Sequence, residues 1–104
     1  MLAPRALYGN SKLAKMAIDV EGIVVECGVW RGGAIASIAE VLGPDRHYFL
    51  FDSFEGLPPA DDIDGESAAA WQADTSSPDY HDNCSAEERW AREAMARALS
   101  LIHI

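Results

Sequence analysis

Positive charge is what this sequence has least of. Eight Lys and Arg stand against 17 Asp and Glu, giving a formal net charge of −9. A nucleic-acid partner is excluded on that ground, because phosphate binding needs a basic face. An anionic membrane surface is excluded for the same reason. The shortage is sharpest from His47 to Glu88, where eleven acids stand with no Lys or Arg. Cysteine is nearly absent too: Cys27 and Cys84 form no metal-ligand spacing, so zinc is not expected. Two such cysteines without a motif read as free thiols. No apolar run approaches the ~20 residues of a membrane-spanning helix. Lys12 and Lys15 interrupt the only candidate for a signal-peptide core, so a cytoplasmic location is expected. Internal repeats and low-complexity segments are missing.

What is present is one short globular stretch of 104 residues, 49% apolar, enough for one domain at most. Residues 10–20 predict a helix capped by Asn10 or Ser11, with Leu13, Ala17 and Val20 at helical spacing and Gly22 as the stop. Ile23–Cys27 is an apolar run broken only by Glu26. It suits a strand buried on both faces of a parallel sheet. Gly32 and Gly33 open a second helix over Ala34–Leu42, which Gly43-Pro44 ends. His47–Phe51 is the second strand, so strand, helix and strand form a parallel crossover unit. Residues 53–84 are rich in Asp, Pro, Ser and Gly and read as a long loop. Its large apolar residues, Phe54, Leu57, Ile63, Trp71 and Tyr80, suit the anchors of a lid; a solvated acidic loop is the alternative. Over Ser85–Ala98 a last helix is expected, with a Ser85–Glu88 capping box, a Glu88–Arg92 pair, and Trp90, Ala94, Met95 and Ala98 on its apolar face.

Two runs carry the chemistry. The first is Val24-Val25-Glu26-Cys27-Gly28-Val29-Trp30-Arg31-Gly32-Gly33. The second is Phe49-Leu50-Phe51-Asp52-Ser53-Phe54-Glu55-Gly56-Leu57-Pro58. A strand, a Gly-rich turn, a helix and a second strand ending on an acid make a nucleotide-type cofactor site. Asp52, 24 residues after Gly28, stands where an acid accepts both ribose hydroxyls; a turn-capping Asp is the alternative. Glu26 is costly in an apolar strand unless it has a partner, which favours a role in the site. Gly28 and Gly32 are candidate points of backbone approach, or ordinary turn glycines. Trp30 occupies a position where a dinucleotide fingerprint wants glycine, which disfavours a pyrophosphate ligand. S-adenosylmethionine (SAM) has a ribose and no phosphate, and an acid-x-Gly motif suits it.

The two runs, with Asp82-Asn83-Cys84-Ser85-Ala86-Glu87-Glu88 later, closely resemble the macrocin O-methyltransferase family of sugar-modifying enzymes, over about residues 20–98. The resemblance implies an α/β chain, the N-terminal part of a Rossmann-like SAM-methyltransferase fold with a parallel sheet. It implies methyl transfer from SAM to a sugar hydroxyl of a glycosylated small molecule, a macrolide-type natural product of antibiotic biosynthesis or a saccharide. Cofactor contacts fall to Glu26, Gly28, Trp30, Arg31, Gly32, Asp52, Ser53, Phe54, Glu55 and Gly56. Ser53–Gly56 would wall the adenosine, and Phe54 would pack on adenine or serve as a core aromatic. Arg31 would touch a carboxylate, balance the local acids, or stand as a plain surface arginine. The resemblance also implies Mg2+ near the acceptor, with ligands outside this chain, and it is compatible with a homo-oligomer at full length. Asp61, Asp62 and Asp64 do not read as a metal site, since three acids in a flexible loop seldom converge. His47, His81 and His103 give no general base.

On this reading residues 1–98 are a partial SAM-binding domain with weak or no catalysis of its own, and 53–84 is a lid-like acidic loop. Leu99–Ile104 matches the translation of a transposon-derived sequencing adapter end and reads as a non-native tail. Two rival readings stand beside it. One is an NAD-type oxidoreductase with Asp52 on the ribose. The other is an acidic interaction module that docks through the last helix.

Overall fold

Helix α1 spans Pro4–Met16, in a computed structural model that describes residues 3–100. It begins well before the expected cap. Pro4 holds the first helical position, where its fixed φ and missing N–H suit a helix start, and Asn10 and Ser11 lie inside the helix. It also ends before Val20, and Arg46 bonds the turn that follows it. The Arg46 guanidinium donates to the carbonyls of Val20 and Ile18, the latter at 2.7 Å.

Strand β1 is Val24–Cys27 and strand β2 is Tyr48–Phe51. They pair in parallel, Val24 opposite Tyr48 and Cys27 opposite Phe51. Helix α2, Gly33–Leu42, makes the crossover. It stops at Gly43, whose φ of +87° is favourable only for glycine, and whose carbonyl accepts from the Tyr48 hydroxyl at 2.6 Å. These elements lie within a residue or two of their expected ends.

The two strands are not buried on both faces as expected. Val24, Glu26, Tyr48 and Leu50 are half-buried on one face, while Val25, Cys27, Phe49 and Phe51 are exposed on the other. Side chains alternate across a strand, and helices α1 and α2 pack against one another without covering that second face.

Helix α4, Glu88–Ser100, packs against α2. It begins three residues after Ser85, whose hydroxyl donates to Asp82 Oδ2 at 2.7 Å. The Glu88–Arg92 ion pair forms as expected, with Arg92 Nε donating at 2.7 Å. Its buried residues are Ala91 and Ala98, while Trp90 is exposed. Ala94 and Met95 are half-buried and Ala98 is buried on the expected face; Trp90 alone departs from it, and Ala91 takes its place. Leu99 and Ser100 continue the helix; the rest of the expected tail, 101–104, lies outside the described residues.

The chain divides into two units, one built from the segments up to Asp52 and from Glu87 onward, the other from Ser53–Ala86. Among the described residues the first unit's core is Ala14, Val29, Ile35, Ala39, Ala91 and Ala98, and only Ile35 is both large and fully buried. The second unit contains helix α3, Glu66–Ala73, and short 3-10 turns at Asp62–Asp64 and His81–Cys84. It is more ordered than its composition suggests. The Trp71 and Tyr80 rings pack tilted at 45° with centres 5.5 Å apart, and the Trp71 indole N–H donates to the Asp79 carbonyl at 3.1 Å. Ile63 is 92% exposed and anchors nothing. No helix among the described residues is long and apolar enough to cross a membrane.

Candidate functional site

Two acids of the first unit, Glu26 and Asp52, stand where β1 and β2 end. The ladder continues one step past the strands, Gly28 N–H donating to the Phe51 carbonyl at 2.8 Å. Asp52 therefore stands directly beside the Gly-rich turn. Its Oδ2 accepts two backbone bonds at 2.7 Å each, from the N–H groups of Val29 and Trp30. Two amides on one carboxylate oxygen are charge-assisted bonds of the stronger kind. The turn-capping role named from sequence is thus present, and it fixes the position of the carboxyl group.

Trp30 shows why the turn needs that hold. Its φ is +50°, in the left-handed region that L residues disfavour. The side chain that made the glycine pattern irregular thus sits in a glycine-like conformation. The Arg31 guanidinium lies over the Trp30 ring, 4.9 Å from its centre, a cation–π contact. Arg31 also lines a cleft of about 310 Å³ with Trp90, Glu93, Ala94 and Arg97.

The two turn glycines differ in their reasons. Gly28 has φ +84° and faces open space. Gly32 has φ +81°, and a Cβ there would lie 2.9 Å from the Ala91 Cα. Its place is in the core, where α4 crosses the start of α2. Ala91 is far along the chain and carries no signal of its own, so the sequence gives no sign of this contact.

Glu26 lies on the covered face of β1. Its Oε2 is buried and has no hydrogen-bond partner. Burial raises its pKa, and the nearby negative charge of Asp52 raises it further. An acceptor without a donor in a protein interior is unusual and calls for an explanation. A strand-end pair of carboxylates can accept hydroxyl donors and balance a cation.

Cys27, expected buried, is exposed at the end of β1; Cys84 is half-buried, and both are free thiols. Ser53, Phe54, Glu55 and Gly56 belong to the second unit. Ser53 Oγ accepts from the Glu55 N–H at 3.2 Å. Phe54 and Gly56 have φ values of +61° and +92°. The loop acids form a cap: Asp61 N–H donates to Asp64 Oδ2 at 2.8 Å, and Asp61 Oδ1 accepts from Asp62 N–H at 2.7 Å. Among the described residues no three His, Cys, Asp or Glu side chains are grouped to hold a metal ion.

No curated protein and no solved structure matches the chain. The family model described as macrocin-O-methyltransferase (TylF) matches residues 11–87. That span takes in β1, the Gly-rich turn, α2, β2 with Asp52, and all of the second unit. With well over half of its length matched, including both runs that build the acid site, the chain belongs to the macrocin-O-methyltransferase (TylF) family.

Proposed function

We propose that the chain carries the cofactor-binding part of a SAM-dependent O-methyltransferase with a Rossmann-like fold, whose acceptor is a sugar hydroxyl of a glycosylated small molecule. The observation that carries this reading is the acid pair at the strand ends: Glu26 with a buried, unpartnered oxygen, beside Asp52. The parallel β1–α2–β2 unit supports the fold, because ligands of open α/β sheets bind beyond the carboxyl ends of the strands.

The residues fit SAM on chemical grounds. When bound, SAM supplies an electrophilic methyl group on a sulfonium. Glu26 accepts a donor from the cationic methionine end, which satisfies its orphaned oxygen. Asp52 accepts ribose hydroxyl bonds while its Oδ2 keeps the turn in place. Gly28, with open space at its α-carbon, lets the backbone approach the cofactor closely. Trp30, Arg31 and Gly32 shape the turn on its other side. In this reading Ser53, Phe54, Glu55 and Gly56 wall the adenosine, and 53–84 serves as the lid. The chain's own contribution to rate is orientation of the methyl donor. The resemblance keeps Mg2+ and the general base with acceptor-side residues outside this chain.

Calorimetric titration of S-adenosylhomocysteine tests the reading. The parent chain is expected to bind saturably. Asp52→Asn keeps an acceptor oxygen for the two turn amides and loses the charge; Glu26→Gln loses the second charge. Each is expected to weaken binding about tenfold, the worth of one charge-assisted bond. A folded parent chain that takes up no cofactor product sinks the proposal.

A further inference from the structure

We infer that Asn83 is a positioning residue that clamps the Phe54–Leu57 segment into a single conformation; this rests on the proposed role of Ser53–Gly56 in walling the adenosine. Everything involved lies in the second unit. Asn83 meets Leu57 twice. Its carbonyl accepts the Leu57 N–H at 3.0 Å, and its Nδ2 donates to the Leu57 carbonyl at 2.7 Å. Its Oδ1 accepts from Gln72 Nε2 at 3.1 Å. That same Gln72 nitrogen donates to the Pro58 carbonyl at 2.8 Å, and Gln72 Oε1 accepts the Ala60 N–H at 2.6 Å. Two carboxamides thus bond the main chain on both sides of a Pro-Pro step that has no N–H of its own. At the other end of the segment, the Phe54 carbonyl accepts the Ala86 N–H at 3.2 Å.

The clamp is built from disfavoured backbone. His81, Asp82, Asn83 and Cys84 have φ values of +50°, +53°, +54° and +60°. Four consecutive non-glycine residues in the left-handed region persist only where their surroundings over-determine them, and such strain collects at ligand clamps. This run turns both the carbonyl and the carboxamide of Asn83 onto one residue. Gly56 answers it: a Cβ there would stand 2.7 Å from the Asn83 carbonyl oxygen. The glycine before Leu57 and the left-handed run therefore form one matched contact.

The test uses Asn83→Gly, because glycine accepts the positive φ and removes only the carboxamide. Asn83→Asp is the second variant: it can still receive the Gln72 donor and cannot donate to the Leu57 carbonyl. Ser76→Ala is the control, since that hydroxyl reaches only Asp74 Oδ1. Two quantities are read in the full chain: S-adenosylhomocysteine affinity, and hydrogen exchange at the Leu57 amide. The inference expects Asn83→Gly to fold cooperatively, to bind about five- to tenfold more weakly, and to show faster Leu57 exchange. Asn83→Asp is expected to move the same way by less, and Ser76→Ala not at all. Parent-like affinity in Asn83→Gly overturns the clamp and leaves the cofactor reading standing. Weaker binding with unchanged Leu57 exchange also overturns it. A parent chain that does not bind overturns the cofactor reading and this inference with it.

Discussion

Asp52 and Trp30 offset one another. A tryptophan at φ +50° stores about 1–2 kcal/mol of backbone strain, and the Asp52 carboxylate holds that conformation through two amides. Asp52→Ala is therefore expected to lower stability by about 2–4 kcal/mol in denaturant titration, apart from any effect on ligand. Asp52→Asn should lower it much less, since an amide oxygen still accepts. Glu26 behaves in the opposite sense. Its pKa is raised in the folded chain, by burial first and by Asp52 second, so the folded state holds its proton more tightly than the unfolded state does. The stability this provides is present below the unfolded value of 4.5 and is lost as pH rises through the folded value. Glu26→Gln should then melt higher than the parent at neutral pH, with the difference closing as pH falls below about 4.5. Thermal midpoints across that range check it; a difference independent of pH would refute it. Glu26 was legible in the sequence because an acid inside an apolar strand announces itself. Asn83 and Gln72 were not, since an exposed-looking carboxamide gives no sign of which distant backbone it will bond.

At the scale of elements, the crossover unit was readable because its signals are local. Apolar runs, Gly43-Pro44 and the spacing of two strands all act within a few residues. The bounds of the first helix depart from its pattern at both ends: Pro4 starts it early, and Arg46, in the turn between α2 and β2, bonds the carbonyls beyond its end. Helix α3 was hidden by acidic, Pro-rich flanks, and its run of small residues has little amphipathic contrast. Helix α4 keeps Ala94, Met95 and Ala98 on its inward face as its pattern suggests, and Trp90 gives way there to Ala91, whose backbone Gly32 admits. That contact gives a paired prediction. Gly32→Ala adds left-handed strain to a 2.9 Å overlap with backbone and should destabilise by about 2–4 kcal/mol. Gly28→Ala meets open space and should lose only about 1 kcal/mol, with its larger effect on cofactor affinity. Equal melting temperatures for the two variants would show that α4 does not pack there as described.

In the molecule as a whole, burial is thin. Five of the six buried apolar residues described are small or of middling size, and Ile35 alone is large and fully enclosed. Ile35→Ala is expected to remove about 2–5 kcal/mol, a large share of what a domain of this size holds. Loss of the cooperative unfolding transition in that variant is the expected reading by circular dichroism. The acid excess was plain from composition, and its concentration in Ser53–Ala86 follows from the sequence directly. What composition could not convey is the order in which the parts are completed. The first unit needs the segment from Glu87 onward, because Ala91 and Ala98 close its core. On the ribosome, the crossover unit therefore emerges with its last packing surface still unmade. It must wait while Ser53–Ala86 is translated, a delay on the order of seconds at ~5–20 residues per second. Nascent chains halted before and after α4 should differ sharply in protease resistance, and synonymous codon changes that slow synthesis across 53–86 should lower the yield of folded protein by prolonging that exposed interval.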